Sequence, residues 1–198
     1  MFRTLRQLLG LCAVALFLLC AGFGGRTARA DTVNFTTSAT FGLPSGSICG
    51  GGGTNTVTCA NGTSLSFTGT FFTQTFSGTR GPSFGAFTLV SNSAADRTAL
   101  DGVTFNLRLV QTSSSPGSFN LTGTIRTEMI GGIPATVLRF DNTVFTLGAI
   151  NYQFLDALVV QTTTLTGGVT SPVPEPATLF LLAGGLSGLA LKRRRRRG

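Results

Sequence analysis

Between residues 31 and 171 the side chains alternate apolar and polar with a period of two, and this pattern constrains the fold more than any other feature. In Val103-Thr-Phe105-Asn-Leu107-Arg-Leu109 the odd positions are apolar and the even ones polar. Phe119, Leu121, Ile125 and Met129 alternate with Asn120, Thr122, Thr124, Arg126 and Glu128. Leu65, Phe67 and Phe71 alternate in the same way with Ser64, Ser66, Thr68 and Thr70. Successive side chains of a strand point to opposite faces, so each such run puts one face in a core and the other in water. Weaker strand patterns cover 33–41, 84–90, 136–140, 144–147, 150–154 and 158–169. Turn residues separate them, among them the glycines 50–53, Asn61-Gly62, Arg80-Gly81-Pro82, Asp101-Gly102, Gly131-Gly132 and Asp141-Asn142. No helical stripe appears outside the two end segments. The prediction is an all-β body, an antiparallel two-sheet β-sandwich of jelly-roll type, with 17 phenylalanines to help fill its core. A β-helix is disfavoured, because no repeat of fixed length is found.

The formal charge of +8 would suggest nucleic acid or an anionic membrane as partner, but its position decides otherwise. Four arginines lie in the first 30 residues, and six basic residues, Lys192 to Arg197, stand near the end. Between them, five arginines face six acids, so the body is near neutral and nucleic-acid binding loses its electrostatic basis.

Residues 1–30 read as a signal peptide. Arg3 and Arg6 form the positive n-region, and Leu8 to Phe23 forms the apolar stretch. Ala28-Arg29-Ala30 supplies the small-x-small pattern for signal peptidase, which makes Asp31 the expected mature start. An uncleaved anchor is the alternative, and the well-placed Ala-Arg-Ala favours cleavage. Lipid attachment is disfavoured, since Cys12 and Cys20 each follow a leucine rather than a small residue.

Residues 172–198 have three parts. Pro172, Pro174 and Pro176 break regular structure. Ala177 to Leu191 is uncharged and, as a helix of 15 residues, would reach roughly 22 Å against a hydrocarbon core of about 30 Å. Lys192 and Arg193 can snorkel to the headgroups and make up part of the difference. The arginine run is expected to stay cytoplasmic, leaving the body across the inner membrane.

Val173-Pro174-Glu175-Pro176, the short apolar helix and the arginine run together resemble the PEP-CTERM sorting signal of Gram-negative and related bacteria, a tail type also labelled the ice-binding protein C-terminal domain. The resemblance implies that an exosortase, a polytopic membrane cysteine protease, recognises Pro174, Glu175 and Pro176 and cuts near them. It implies a body then released or moved to the cell surface, often in bacteria that make extracellular polysaccharide. A plain C-terminal tail anchor is the alternative.

Cys49 and Cys59 are the only cysteines of the expected mature chain, and they bracket a glycine-rich segment read as a flexible loop. In an oxidising compartment they are expected to form a disulfide, and two thiols without histidine make a poor metal site. The chain has no histidine, which excludes Ser-His-Asp and Cys-His catalysis. Glu128 reads as a solvated residue, and no particular pair of carboxylates is indicated for glycoside hydrolysis. Calcium could take Asp96, Asp101, Asp141 and Asn142 in turns, although no Asp-x-Asp spacing is present. Thr-x-Thr steps at 54–58, 68–70, 122–124 and 162–164 raise a water-ordering, ice-binding array, against the simpler reading of solvated strand faces. The expectation is an exported envelope or extracellular-matrix structural protein that uses no cofactor and catalyses nothing itself. The alternative is a carbohydrate-binding module for exopolysaccharide, which an exposed Tyr152 beside phenylalanine rings would favour and a buried one would oppose.

Overall fold

The computed structural model describes residues 30–172, Ala94 excepted; the signal segment and the tail from Val173 onward, with the helix expected in each, lie outside the described residues. Among the described residues no helix is long and apolar enough to cross a membrane. The alternating runs become strands. In chain order these are β1 (Asp31–Gly42), β2 (Cys49–Gly50), β3 (Thr56–Cys59), β4 (Ser64–Thr68), β5 (Phe71–Phe76), β6 (Gly78–Arg80) and β7 (Ser83–Val90). A 3-10 turn at Ala95–Leu100 follows. Then come β8 (Thr104–Gln111), β9 (Gly117–Ile130), β10 (Ile133–Phe140), β11 (Val144–Leu147), β12 (Ile150–Phe154), β13 (Ala157–Val159) and β14 (Thr162–Ser171).

The protein is mostly β, with two antiparallel sheets, one of them curled into a half-barrel. The first sheet has the order β13-β10-β9-β8-β1-β5. The second runs β11-β12-β14-β7-β4-β3-β2, with β6 beside β14. Both contribute to one apolar core. On β1 the inward Val33, Phe35, Ala39 and Phe41 are buried, while Thr36, Ser38 and Thr40 between them are exposed. Phe105 of β8 meets Phe67 of β4 and Phe87 of β7 at 5.1 and 4.9 Å between ring centroids, and Phe35 stacks on Phe84 of β7 at 5.3 Å. Each such ring taken out of water contributes about 2–3 kcal/mol, an upper figure because unfolded chains already bury some surface.

Two glycine positions are set by backbone geometry. Gly131 and Gly132 both have positive φ (60° and 82°), as a two-residue hairpin turn between β9 and β10 requires. Gly85 has φ 134°, and a Cβ there would collide with the Phe67 ring and stand 2.6 Å from the Thr68 carbonyl oxygen.

The structure corrects several details of the sequence reading. The run 158–169 is two strands, because the chain leaves the first sheet after β13 and enters the second at β14. The loop between the cysteines is half ordered, since Thr56–Cys59 is a strand. Phe71 continues the alternation of Leu65 and Phe67 in sequence but not in space. The chain changes sheets at Gly69-Thr70, so Phe71 pairs with the outward Thr36 and is 68% exposed. Met129 lies at the hairpin tip beyond the core and is exposed as well.

Candidate functional site

The described fold begins at β1 and ends at β14, and its pairing brings those two ends together. Asp31 pairs with Phe76 on β5, and Ser171 pairs with Gly78 on β6. A single residue, Ser77, separates Phe76 from Gly78. The Ser171 hydroxyl therefore reaches the Asp31 carboxylate and donates a hydrogen bond to it at 2.8 Å. Ala30 is exposed immediately before β1. The expected signal cleavage point, Ala30-Asp31, and the start of the proline-rich tail at Pro172 thus share one pole of the body. Ala28 of the cleavage pattern lies outside the described residues, as do Val173, Pro174, Glu175 and Pro176 and the anchor residues Ala177, Leu191, Lys192 and Arg193.

Cys49 and Cys59 form a disulfide. They are direct partners in the β2–β3 pair, so the strand register itself brings the sulfurs together. The sulfurs lie 3.2 and 3.8 Å from the Ala99 carbonyl oxygen, so the hairpin packs against the 3-10 turn there.

Tyr152 is fully buried, and its hydroxyl donates to the Gln111 side-chain oxygen. The Gln111 amide in turn donates to the carbonyls of Ser113 and Ser115 at 2.9 and 2.8 Å. Burial pushes the Tyr152 phenol above its ordinary range. Its ring spans β12 and β8 inside the core and offers no platform to a sugar. Sequence pattern placed Tyr152 on a strand but could not say that its partner would be Gln111, 41 residues away.

Glu128 is not a lone solvated acid. Arg139 donates to both of its carboxylate oxygens, at 2.9 and 2.7 Å, and to Asp156 at 2.8 Å. In the register Val137 stands outward between Glu128 and Arg139, and it is only 5% exposed. The Arg139 side chain arches over it. The Arg139 hydrogen bonds hold Glu128 below its ordinary carboxylate range. At Asp156 partial desolvation pulls upward, but the hydrogen bonds from Arg139 and the Phe140 N–H outweigh it, and that carboxyl also lies low. Glycoside hydrolysis needs one carboxyl held protonated as the general acid, and this pair is held ionised.

Three of the four residues weighed for calcium, Asp96, Asp101 and Asn142, already accept hydrogen bonds within the protein. Asp96 accepts from Ser93, Asp101 accepts from the Thr127 N–H, and Asn142 accepts from the Val144 N–H. Among the described residues no three His, Cys, Asp or Glu side chains group as a metal would need. The Thr-x-Thr steps divide between sheets. Thr122 and Thr124 lie on the first, while the others fall on or beside strands of the second. There the pairings Thr162–Thr88, Thr88–Ser66 and Ser66–Thr56 line up a hydroxyl row across β14, β7, β4 and β3.

No curated protein and no solved structure matches this chain significantly. One family model does match, over residues 172–196, and it describes the PEP-CTERM protein-sorting motif. That segment starts one residue after β14 ends. The chain therefore carries at its C-terminus a PEP-CTERM protein-sorting motif, the mark of an exported protein processed by an exosortase at the cell envelope.

Proposed function

We propose that this chain is a non-catalytic structural component of the cell envelope or extracellular matrix. Its body is a two-sheet sandwich of jelly-roll type, carried out by a cleaved signal peptide and held by its tail until the exosortase cuts. The observation that carries the reading is the matched motif beginning at Pro172, directly beyond a strand whose last residue, Ser171, is bonded to Asp31. Among the described residues the buried apolar side chains run from Val33 to Val169, inside both expected cuts, which supports a body that keeps its core through processing. The anchored form has its arginine run on the cytoplasmic side and the body across the inner membrane, and the processed form rests at the surface or outside. No step of this role needs a cofactor or nucleic acid. The absence of histidine and the pairing of Glu128 and Asp156 with Arg139 support a non-catalytic body.

The test is intact mass and fractionation of the full chain expressed with and without an exosortase. With the protease, the expected product starts at Asp31, lacks the tail and leaves the inner membrane. Replacing Pro174, Glu175 and Pro176 together by alanine should reproduce the protease-free result. Identical mass and location in both backgrounds would overturn the reading.

A further inference from the structure

The first sheet ends in an unguarded strand. β5 pairs with β1, and among the described residues nothing pairs with its other side. Sheet edges are commonly kept short, charged or capped, because their free N–H and C=O groups otherwise recruit another strand. Three edges here follow that rule. β13 has three residues and follows Asp156, β11 has four, and β2 has two and is cross-linked to β3. β5 breaks it. Its six residues, Phe71-Phe72-Thr73-Gln74-Thr75-Phe76, contain no charge, proline or glycine, and no charged residue occurs between Asp31 and Arg80. Aromatic and β-branched side chains of this kind favour strand pairing with themselves.

The hydrogen-bond phase shows which groups β1 leaves unused, of which the Phe71 carbonyl has a long contact of 3.5 Å from the Thr70 hydroxyl. The Thr37 N–H donates to the Thr70 carbonyl at 2.9 Å, and Thr37 lies opposite Thr70 by continuation of the register. Antiparallel ladders alternate bonded and unbonded pairs, so Phe72 and Gln74 bond to Phe35 and Val33. The N–H and C=O groups of Phe71, Thr73 and Thr75 then point away from β1. Their side chains lie on the outer face with Thr36, Asn34 and Thr32, and Phe71 is an exposed aromatic at the rim.

We propose that β5 is the contact through which a second copy of this chain pairs, antiparallel, about a two-fold axis at Thr73. Thr73 then exchanges both backbone hydrogen bonds with its counterpart, and Phe71 of each copy lies opposite Thr75 of the other. An identical strand is the occupant this edge fits. It is uncharged and so meets no repulsion from itself, and the three outward residues match across the axis. The inference deepens the structural reading above, and its test is separate from the processing test.

The experiment is sedimentation velocity of the full chain in detergent micelles from about 10 µM to 1 mM, the range in which so small an interface associates. A concentration-dependent dimer is expected. Thr73→Pro removes an outward donor and leaves the β1 ladder whole, and Thr75→Lys adds the kind of charge that guards other edges. Each should weaken dimerisation about tenfold or more while the circular dichroism stays unchanged. Thr73→Cys should give a disulfide-linked dimer, and Thr40→Cys, away from the edge, should not. If Thr73→Pro disturbs the fold, Thr75→Lys decides. A chain that is monomeric throughout overturns the proposal, and so does a dimer indifferent to the intact variants. Processing with no pairing would remove the contact and leave the exosortase reading standing.

Discussion

Phe105 and Phe71 are the same residue type on runs of the same pattern, yet they have opposite fates. Phe105 is fully buried and packs against Phe41, Phe67 and Phe87 at 4.9–5.6 Å, whereas Phe71 projects from the outer rim. Phe105→Ala is expected to cost about 3–5 kcal/mol in urea unfolding. Phe71→Ala should change stability by about 0.5 kcal/mol or less. Arg139 carries a second prediction at this scale. Glu128 and Asp156 both have folded pKa values below their ordinary range, so the unfolded state binds their protons more readily. Their contribution is present above the ordinary carboxylate values and is lost as the pH falls below about 4. Thermal unfolding of Arg139→Gln should therefore depend less on pH between about 5 and 2 than that of the wild type. The difference between the two should be largest near neutrality, modest because the cluster is exposed, and should close as the pH falls.

Among the elements, the β2–β3 hairpin shows how covalent and ladder constraints coincide. Cys49 and Cys59 are register partners ten residues apart in sequence. Closing a loop of this size restricts the unfolded chain by about 2.5–3 kcal/mol in the entropy model. Cys49→Ser with Cys59→Ser should lower unfolding free energy by about 2–3 kcal/mol, with lost hydrogen-exchange protection centred on residues 49–59. The disulfide was readable from compartment and spacing, but strand β3 inside the supposed loop was not. Four glycines mask it, and Thr56–Cys59 becomes a strand by pairing with β4. A strand that alternates cleanly, such as β8, was readable almost to its ends, because it lies inside its sheet between β9 and β1 with one face on the core along its length. Where the chain crosses between sheets, at Gly69-Thr70 and at Val160-Gln161, the alternation runs on through the break and hides it.

For the body as a whole, the two chain ends meet at one pole, and among the described residues the buried apolar side chains lie between Val33 and Val169. Trimming the full chain after Pro172 is therefore expected to leave the melting temperature of the body unchanged. Trimming before Thr162 should unfold it, because β14 joins β7 to β12 and carries the buried Leu165 and Val169. Calorimetry of the two truncations checks both outcomes. The sequence alone determined the β class of the fold, the C-terminal sorting motif and the cysteine pair. These depend on local period, on hydrophobic length and charge, or on compartment, none of which needs the chain to be folded. Only the tertiary structure decided which sheet each strand joined, that Tyr152 faced inward to Gln111, that Arg139 held two acids, and that β5 was left at an open edge. The Tyr152 and Arg139 contacts join groups 11 to 41 residues apart, and the sheet assignments join strands farther apart still. The open edge depends on a neighbour missing among the described residues, and alternation along one strand carries no record of any of these.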